Sequence, residues 1–94
     1  GVKDTPQVPD ENNWVSVTPN PCVQKLDVKL YNAENGNVKF SITDMSGRLV
    51  ASLEKEMMHG YQQVSLTVPG IPQGIYFLKV TGSNRQKVLK LVKH

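Results

Sequence analysis

The side chains able to do chemistry are few in this chain: two histidines, one cysteine and eight carboxylates among 94 residues. A protein metal site draws three or four His, Cys or carboxylate ligands together at short spacings. His59 and His94 lie far apart in the sequence and lack the accompanying ligands. Cys22 has no second cysteine to pair with and reads as a small apolar side chain beside a strand. The stretch Asn32-Ala-Glu-Asn-Gly-Asn37 is rich in side-chain oxygens. It lacks the alternating aspartates and closing bidentate glutamate of a calcium loop, so a hairpin loop is the expectation. Serines are present, but no nucleophile elbow, HExxH, phosphate loop or paired CxxC accompanies them. The chain is therefore expected not to be an enzyme, and no cofactor or metal is expected.

What could position functional groups is a set of strands. Val15 and Val17 alternate with polar neighbours, as do Leu26, Val28 and Leu30; Val38, Phe40 and Ile42; and Val64, Leu66 and Val68. Period two places one apolar row against a core and one polar row in water. Arg48–Glu56 fits a hairpin return less clearly, and Ala51–Met58 is the one stretch that would also suit a helix. Ile75–Val80 and Lys87–Val92 are apolar on both faces for part of their length, which predicts strands near the middle of a sheet or covered on both sides.

Turn chemistry separates these runs. Asn35-Gly36-Asn37 and Met45-Ser46-Gly47 suit tight turns, with Asp44 bonding backbone amides and Gly47 in a left-handed or bulged conformation. Pro69-Gly70-Ile71-Pro72-Gln73-Gly74 makes a rigid connection. Pro19-Asn20-Pro21 ends a strand without offering ladder donors, and Gly74 relieves crowding where Tyr76 enters the next strand. Met57–Gly60 reads as a loose loop, and Trp14 as a lid over one end of the fold. Seven strand-like runs at roughly ten-residue intervals predict a seven-stranded antiparallel immunoglobulin-like β-sandwich. Residues 1–13, with two prolines and three acids, read as a linker, and residues 14–94 as the folded domain. Because the chain opens on Gly1 rather than Met, it is expected to be a piece of a longer precursor.

Charge is segregated along the chain. Six basic and eight acidic side chains lie in residues 1–56, while residues 57–94 carry five basic ones and no carboxylate. A basic segment can meet nucleic acid or anionic headgroups. Nucleic-acid binding would pair it with stacking aromatics, which are missing around these lysines, so no nucleic-acid partner is expected. No apolar run reaches the roughly 20 residues of a spanning helix, and no direct membrane insertion is expected. Lys87, Lys90 and Lys93 are spaced by three, so a strand cannot present all of them on one face.

One ordered set of residues is more specific than any of these features. Thr18-Pro19-Asn20-Pro21 follows the first strand. Val38 to Val50 gives a strand, a D-x-x-G-R turn at Asp44–Arg48 and a return. Gly74-Ile75-Tyr76-Phe77-Leu78-Lys79-Val80 precedes the closing Lys87-Val88-Leu89-Lys90-Leu91-Val92-Lys93. In this order, from Val15 to Lys93, the chain resembles the C-terminal sorting domain of type IX secretion cargo in Gram-negative bacteria. The resemblance implies a seven-stranded immunoglobulin-like sandwich behind a cargo domain of the same precursor. It implies passage from the periplasm through an outer-membrane translocon, with an outer-membrane shuttle protein and a sortase as further partners. The sortase would cut upstream of the sandwich, leaving the cargo on the cell surface or secreted, and such cargo is often a virulence factor. On this reading Lys87, Val88, Leu89, Lys90, Leu91, Val92 and Lys93 form the recognised strand. Pro19, Asn20, Pro21, Asp44, Gly47, Gly74 and Tyr76 are motif positions that serve structure, recognition or both.

Two other readings compete. A surface-located binding module for carbohydrate or protein would use an aromatic platform, for which Trp14, Tyr31 and Tyr61 are the candidates. A mechanical spacer would need no site. A weakly docked last strand would also permit a strand-exchanged dimer.

Overall fold

A computed structural model describes residues 14–18, 24–67, 70–82 and 85–94. These form seven strands: β1 (Val15–Thr18), β2 (Lys25–Asn32), β3 (Gly36–Asp44), β4 (Leu49–Met57), β5 (Gly60–Thr67), β6 (Gly74–Thr81) and β7 (Gln86–Lys93). They pair antiparallel in two sheets, ordered β1-β2-β5 and β4-β3-β6-β7. Ala51–Met58, the one stretch that also suited a helix, is strand β4 for all but its last residue. The linker read into residues 1–13, the Pro19-Asn20-Pro21 motif, Cys22 and Val68 lie outside the described residues.

The alternating rows meet between the sheets. Leu26, Val28 and Leu30 of β2 and Val64 and Leu66 of β5 pack in one core cluster with Val38, Phe40 and Ile42 of β3. Tyr76, Leu78 and Val80 of β6 and Leu91 of β7 belong to the same cluster, as do Trp14, Val15 and Met57. Burying a side chain of this size stabilises the fold by about 1.5–3 kcal/mol each, which is how so short a chain holds together. The Tyr76 hydroxyl also donates a hydrogen bond to the Pro72 carbonyl at 2.7 Å. A tyrosine at the start of a strand, bonded to backbone a few residues upstream, is a corner device of immunoglobulin-like sandwiches.

Three sequence expectations are corrected. Strand β7 is not central: it pairs with β6 alone among the described strands, and Val88 is 52 % exposed. Its second apolar row, Val88 and Val92, lies on the outer face of the sheet rather than beneath another layer. Asn32–Asn37 is not a hairpin loop, because β2 and β3 belong to different sheets and the segment crosses between them. Asn32 makes that crossing specific: it is buried, and its amide donates to the Met57 and Met58 carbonyls, each at 3.2 Å. Met57–Gly60, read as a loose loop, is the return crossing. Met57 is buried, and the His59 backbone N–H donates to Asn35 Oδ1 at 2.6 Å.

Trp14 is 2 % exposed, with the Arg85 guanidinium 4.4 Å from its ring centroid. The Arg85 guanidinium also donates to the Tyr31 carbonyl at 2.8 Å, and the Arg85 backbone carbonyl accepts from the Gly82 N–H at 2.8 Å. Arg85 therefore ties the start of β1 and the end of β2 to the β6–β7 turn. Trp14 Nε1 is the one buried side-chain nitrogen or oxygen without a hydrogen-bond partner among the described residues.

Candidate functional site

Residues directly opposite each other in an antiparallel ladder share a face, so the registers assign every side chain of the four-stranded sheet. Gly74 pairs with Lys93, Tyr76 with Leu91, and Asp44 with Tyr76. Motif positions scattered through the sequence thus converge at one end of this sheet. Asp44, Met45 and Ser46 of the β3–β4 turn line a shallow depression of about 360 Å³ with Gln73, Gly74 and Tyr76. The chain's final residues leave from the same end, since Lys93 stands beside Gly74.

The turn is built by Asp44. Its Oδ1 accepts from the Ser46 N–H at 3.0 Å, the Ser46 hydroxyl at 2.7 Å and the Arg48 N–H at 2.9 Å. Arg48 Nε pairs with Oδ2 at 3.2 Å. Gly47 follows at φ +90°, a conformation that L side chains rarely adopt. The register then slips between Ile42 and Thr43, whose partners are Ala51 and Leu49, so the return strand bulges at Val50.

These contacts, led by the Ser46 hydroxyl and then the Arg48 amide, hold the Asp44 carboxyl below the usual carboxylate range. A carboxylate with a depressed folded pKa stabilises the fold above its unfolded pKa of about 3.9 and loses that effect as pH falls through the lower folded value. The Ser46 and Arg48 amide proton resonances should therefore shift as the pH drops below about 4, when the turn loses its acceptor. Asp44→Asn should abolish that titration; an unchanged titration in the variant would remove the carboxylate as its cause.

Strand β7 itself divides by face. Leu89 and Leu91 point inward, where Leu91 is 2 % exposed, and Lys87 and Lys93 flank them on the same side. Val88, Lys90 and Val92 point outward. The lysines do not share a face, as their spacing requires.

The aromatic candidates do not form a platform. Trp14 lies in the core, and Tyr31 meets Tyr61 edge-on, with centroids 5.0 Å apart and planes at 70°. The Tyr31 hydroxyl is 3.2 Å from His59 Nε2. Among the described residues, no group of three or more His, Cys, Asp or Glu side chains could hold a metal ion. Also among them, no helix is long and apolar enough to cross a membrane. Sequence reasoning missed the Tyr76–Pro72 hydrogen bond and the Arg85–Trp14 contact. The first had a usable signal in the proline four residues before Tyr76; the second joins residues too distant in sequence to leave one.

The geometry thus defines a small immunoglobulin-like sandwich whose shared motif positions gather beside its terminal strand. The family model for the secretion system C-terminal sorting domain matches residues 16–94, and the chain belongs to that family. It is a type IX secretion sorting domain. Among solved structures, the chain is similar to dimeric latent PorU from Porphyromonas gingivalis, with 22 % identity and a TM-score of 0.62. That match covers 84 % of this chain but only 9 % of the PorU chain, and at this identity it supports the fold alone. No curated protein matches the chain.

Proposed function

We propose that this domain is the export address of a cargo protein joined to it in one precursor, and that it has no chemistry of its own. The cargo travels from the periplasm through the type IX translocon, is handled by an outer-membrane shuttle protein, and is freed by a sortase cutting upstream of the sandwich. Recognition falls on β7, with the neighbouring Asp44, Gly47, Gly74 and Tyr76 shaping the end of the sheet from which its last residues emerge. The observation that supports this reading most directly is that convergence: the motif positions of β3, β6 and β7 meet at one end of one sheet. Among the described strands β7 pairs with β6 alone, and a strand at the edge of a sheet is a natural place for another protein to engage.

The test is a fusion of the full 94-residue chain behind a neutral, periplasm-targeted reporter in a bacterium with a working type IX pathway. The reporter should reach the cell surface or the medium, and should stay in the periplasm when the pathway is deleted. Retention of the fused reporter in the periplasm of the intact host rejects the reading.

A further inference from the structure

Among the described strands, one sheet of the sandwich is a strand narrower than the other, and the shortfall falls on one flank. On the first flank, Trp14 at the start of β1 lies against Arg85 of the β6–β7 turn. On the other, β5 pairs with β2 alone and β4 with β3 alone among the described strands. A cleft of about 220 Å³ opens there, lined by Phe40, Ile42, Ala51 and Leu53 of the four-stranded sheet and by Leu66 of β5. The register sets Ala51 opposite Ile42 and Leu53 opposite Phe40, so the inner row of β4 overhangs the narrower sheet, and Leu53 is exposed. The next side chain of that inner row is Lys55, exposed and opposite Val38, whereas Glu54 and Glu56 belong to the outer row.

We infer that this cleft takes an extended segment of another protein. The segment adds to the outer edge of β5 as a fourth strand, turns apolar side chains onto Ala51 and Leu53, and sets a carboxylate against Lys55. A strand added to a sheet edge gains affinity from main-chain hydrogen bonds and specificity from alternate side chains seated in pockets. The cleft suits such a row of side chains, since it is smaller than the roughly 300–1,000 Å³ of pockets that enclose small-molecule ligands. Lys55 selects the occupant. A strand that covers it takes an ammonium group out of water, which is unfavourable unless a carboxylate comes with it. The same inward-pointing charge guards the edge against strands that bring none. A second copy does not fit, because two sandwiches joined edge to edge at β5 would each bring an overhanging β4 into the same layer. Residues 1–13 supply no matching row: their apolar side chains are Val2 and Val8, with Pro6 and Pro9 on either side of Val8. Because β4 and β7 are opposite ends of their sheet, a strand held here leaves β7 untouched, and the inference does not depend on the sorting reading.

The test mixes the full 94-residue chain with a strand-length peptide, Thr-Val-Thr-Ile-Thr-Asp-Thr, or with the same peptide carrying Lys in place of Asp, and follows backbone amide exchange by NMR. The Asp peptide should slow exchange at the β5 amides that do not pair with β2, and should bind about tenfold or more tightly than the Lys peptide. Lys55→Glu should reverse that preference, while Lys39→Glu on the outer face should leave it unchanged, a pattern that a change in stability would not produce. Equal affinity for the two peptides, or a preference that survives Lys55→Glu, overturns the chemistry assigned to the occupant. No binding, or protection that appears on β4 or β7 instead of β5, overturns the site. If the β5 amides are already protected without peptide, the cleft is filled by this chain or by a second copy, and the inferred partner is overturned. None of these results bears on export, which the reporter fusion tests separately.

Discussion

Phe40→Ala should lower the unfolding midpoint by tens of degrees and leave little folded protein at 37 °C. Phe40 is 1 % exposed and lies on β3, the strand flanked by both β4 and β6. Removing a buried phenyl ring costs about 3–5 kcal/mol through lost transfer energy and the cavity left behind. A folded unit of about 80 residues has a total stability on the order of 4–12 kcal/mol, so one substitution removes a large share of it. Leu53→Ala is the control. Leu53 sits opposite Phe40 on the same face of the ladder but is 40 % exposed, because the three-stranded sheet leaves β4 overhanging. Its loss should cost well under half as much. Equal midpoints for the two variants in thermal unfolding would show that the core is not centred on β3.

Truncation before Lys87 should abolish export of a fused reporter completely, and it should also unfold the domain. The deletion removes Leu91 and Leu89 from the interior and strips β6 of its second ladder partner. Burial of Leu91 alone stabilises the fold by about 1.5–3 kcal/mol, and half-buried Leu89 adds to it. Loss of export on truncation therefore does not distinguish a recognised strand from a structural one. The discriminating comparison is Leu91→Ala against Val88→Asp. The first should lower the unfolding midpoint strongly. The second alters an exposed outward position, should shift the midpoint by only a few degrees, and should still reduce export if β7 is read by the machinery. Normal export of a folded Val88→Asp protein would leave β7 as scaffolding only.

Most of the sheet content was legible because the alternation of Leu26, Val28 and Leu30 with lysines and aspartate, and of Val38, Phe40 and Ile42 with polar residues, directly reports one buried face. The Asp44–Gly47 turn was legible for a local reason too: its hydrogen bonds span only four residues. What misled was information that sequence does not hold locally. Asn35-Gly36 looks like a hairpin turn, yet whether the strands on either side pair with each other is decided by β5 and β6, far along the chain. The valines of β7 looked like core because burial and a surface patch call for the same side chains. The convergence of Asp44, Gly74 and Tyr76 needed the register between β3 and β6, which no periodicity encodes.

The contact between Trp14 and Arg85 has a mechanical consequence. Anything attached ahead of Trp14 is coupled through that indole and guanidinium to the turn leading into β7, and through Arg85 to the backbone of Tyr31. Traction applied ahead of Trp14 is thus shared with the β6–β7 hairpin, instead of being borne by the four residues of β1 alone. A load entering ahead of Trp14 therefore reaches both sheets at once, and the clasp at Arg85 sets how much strain the β6–β7 hairpin withstands before it comes loose.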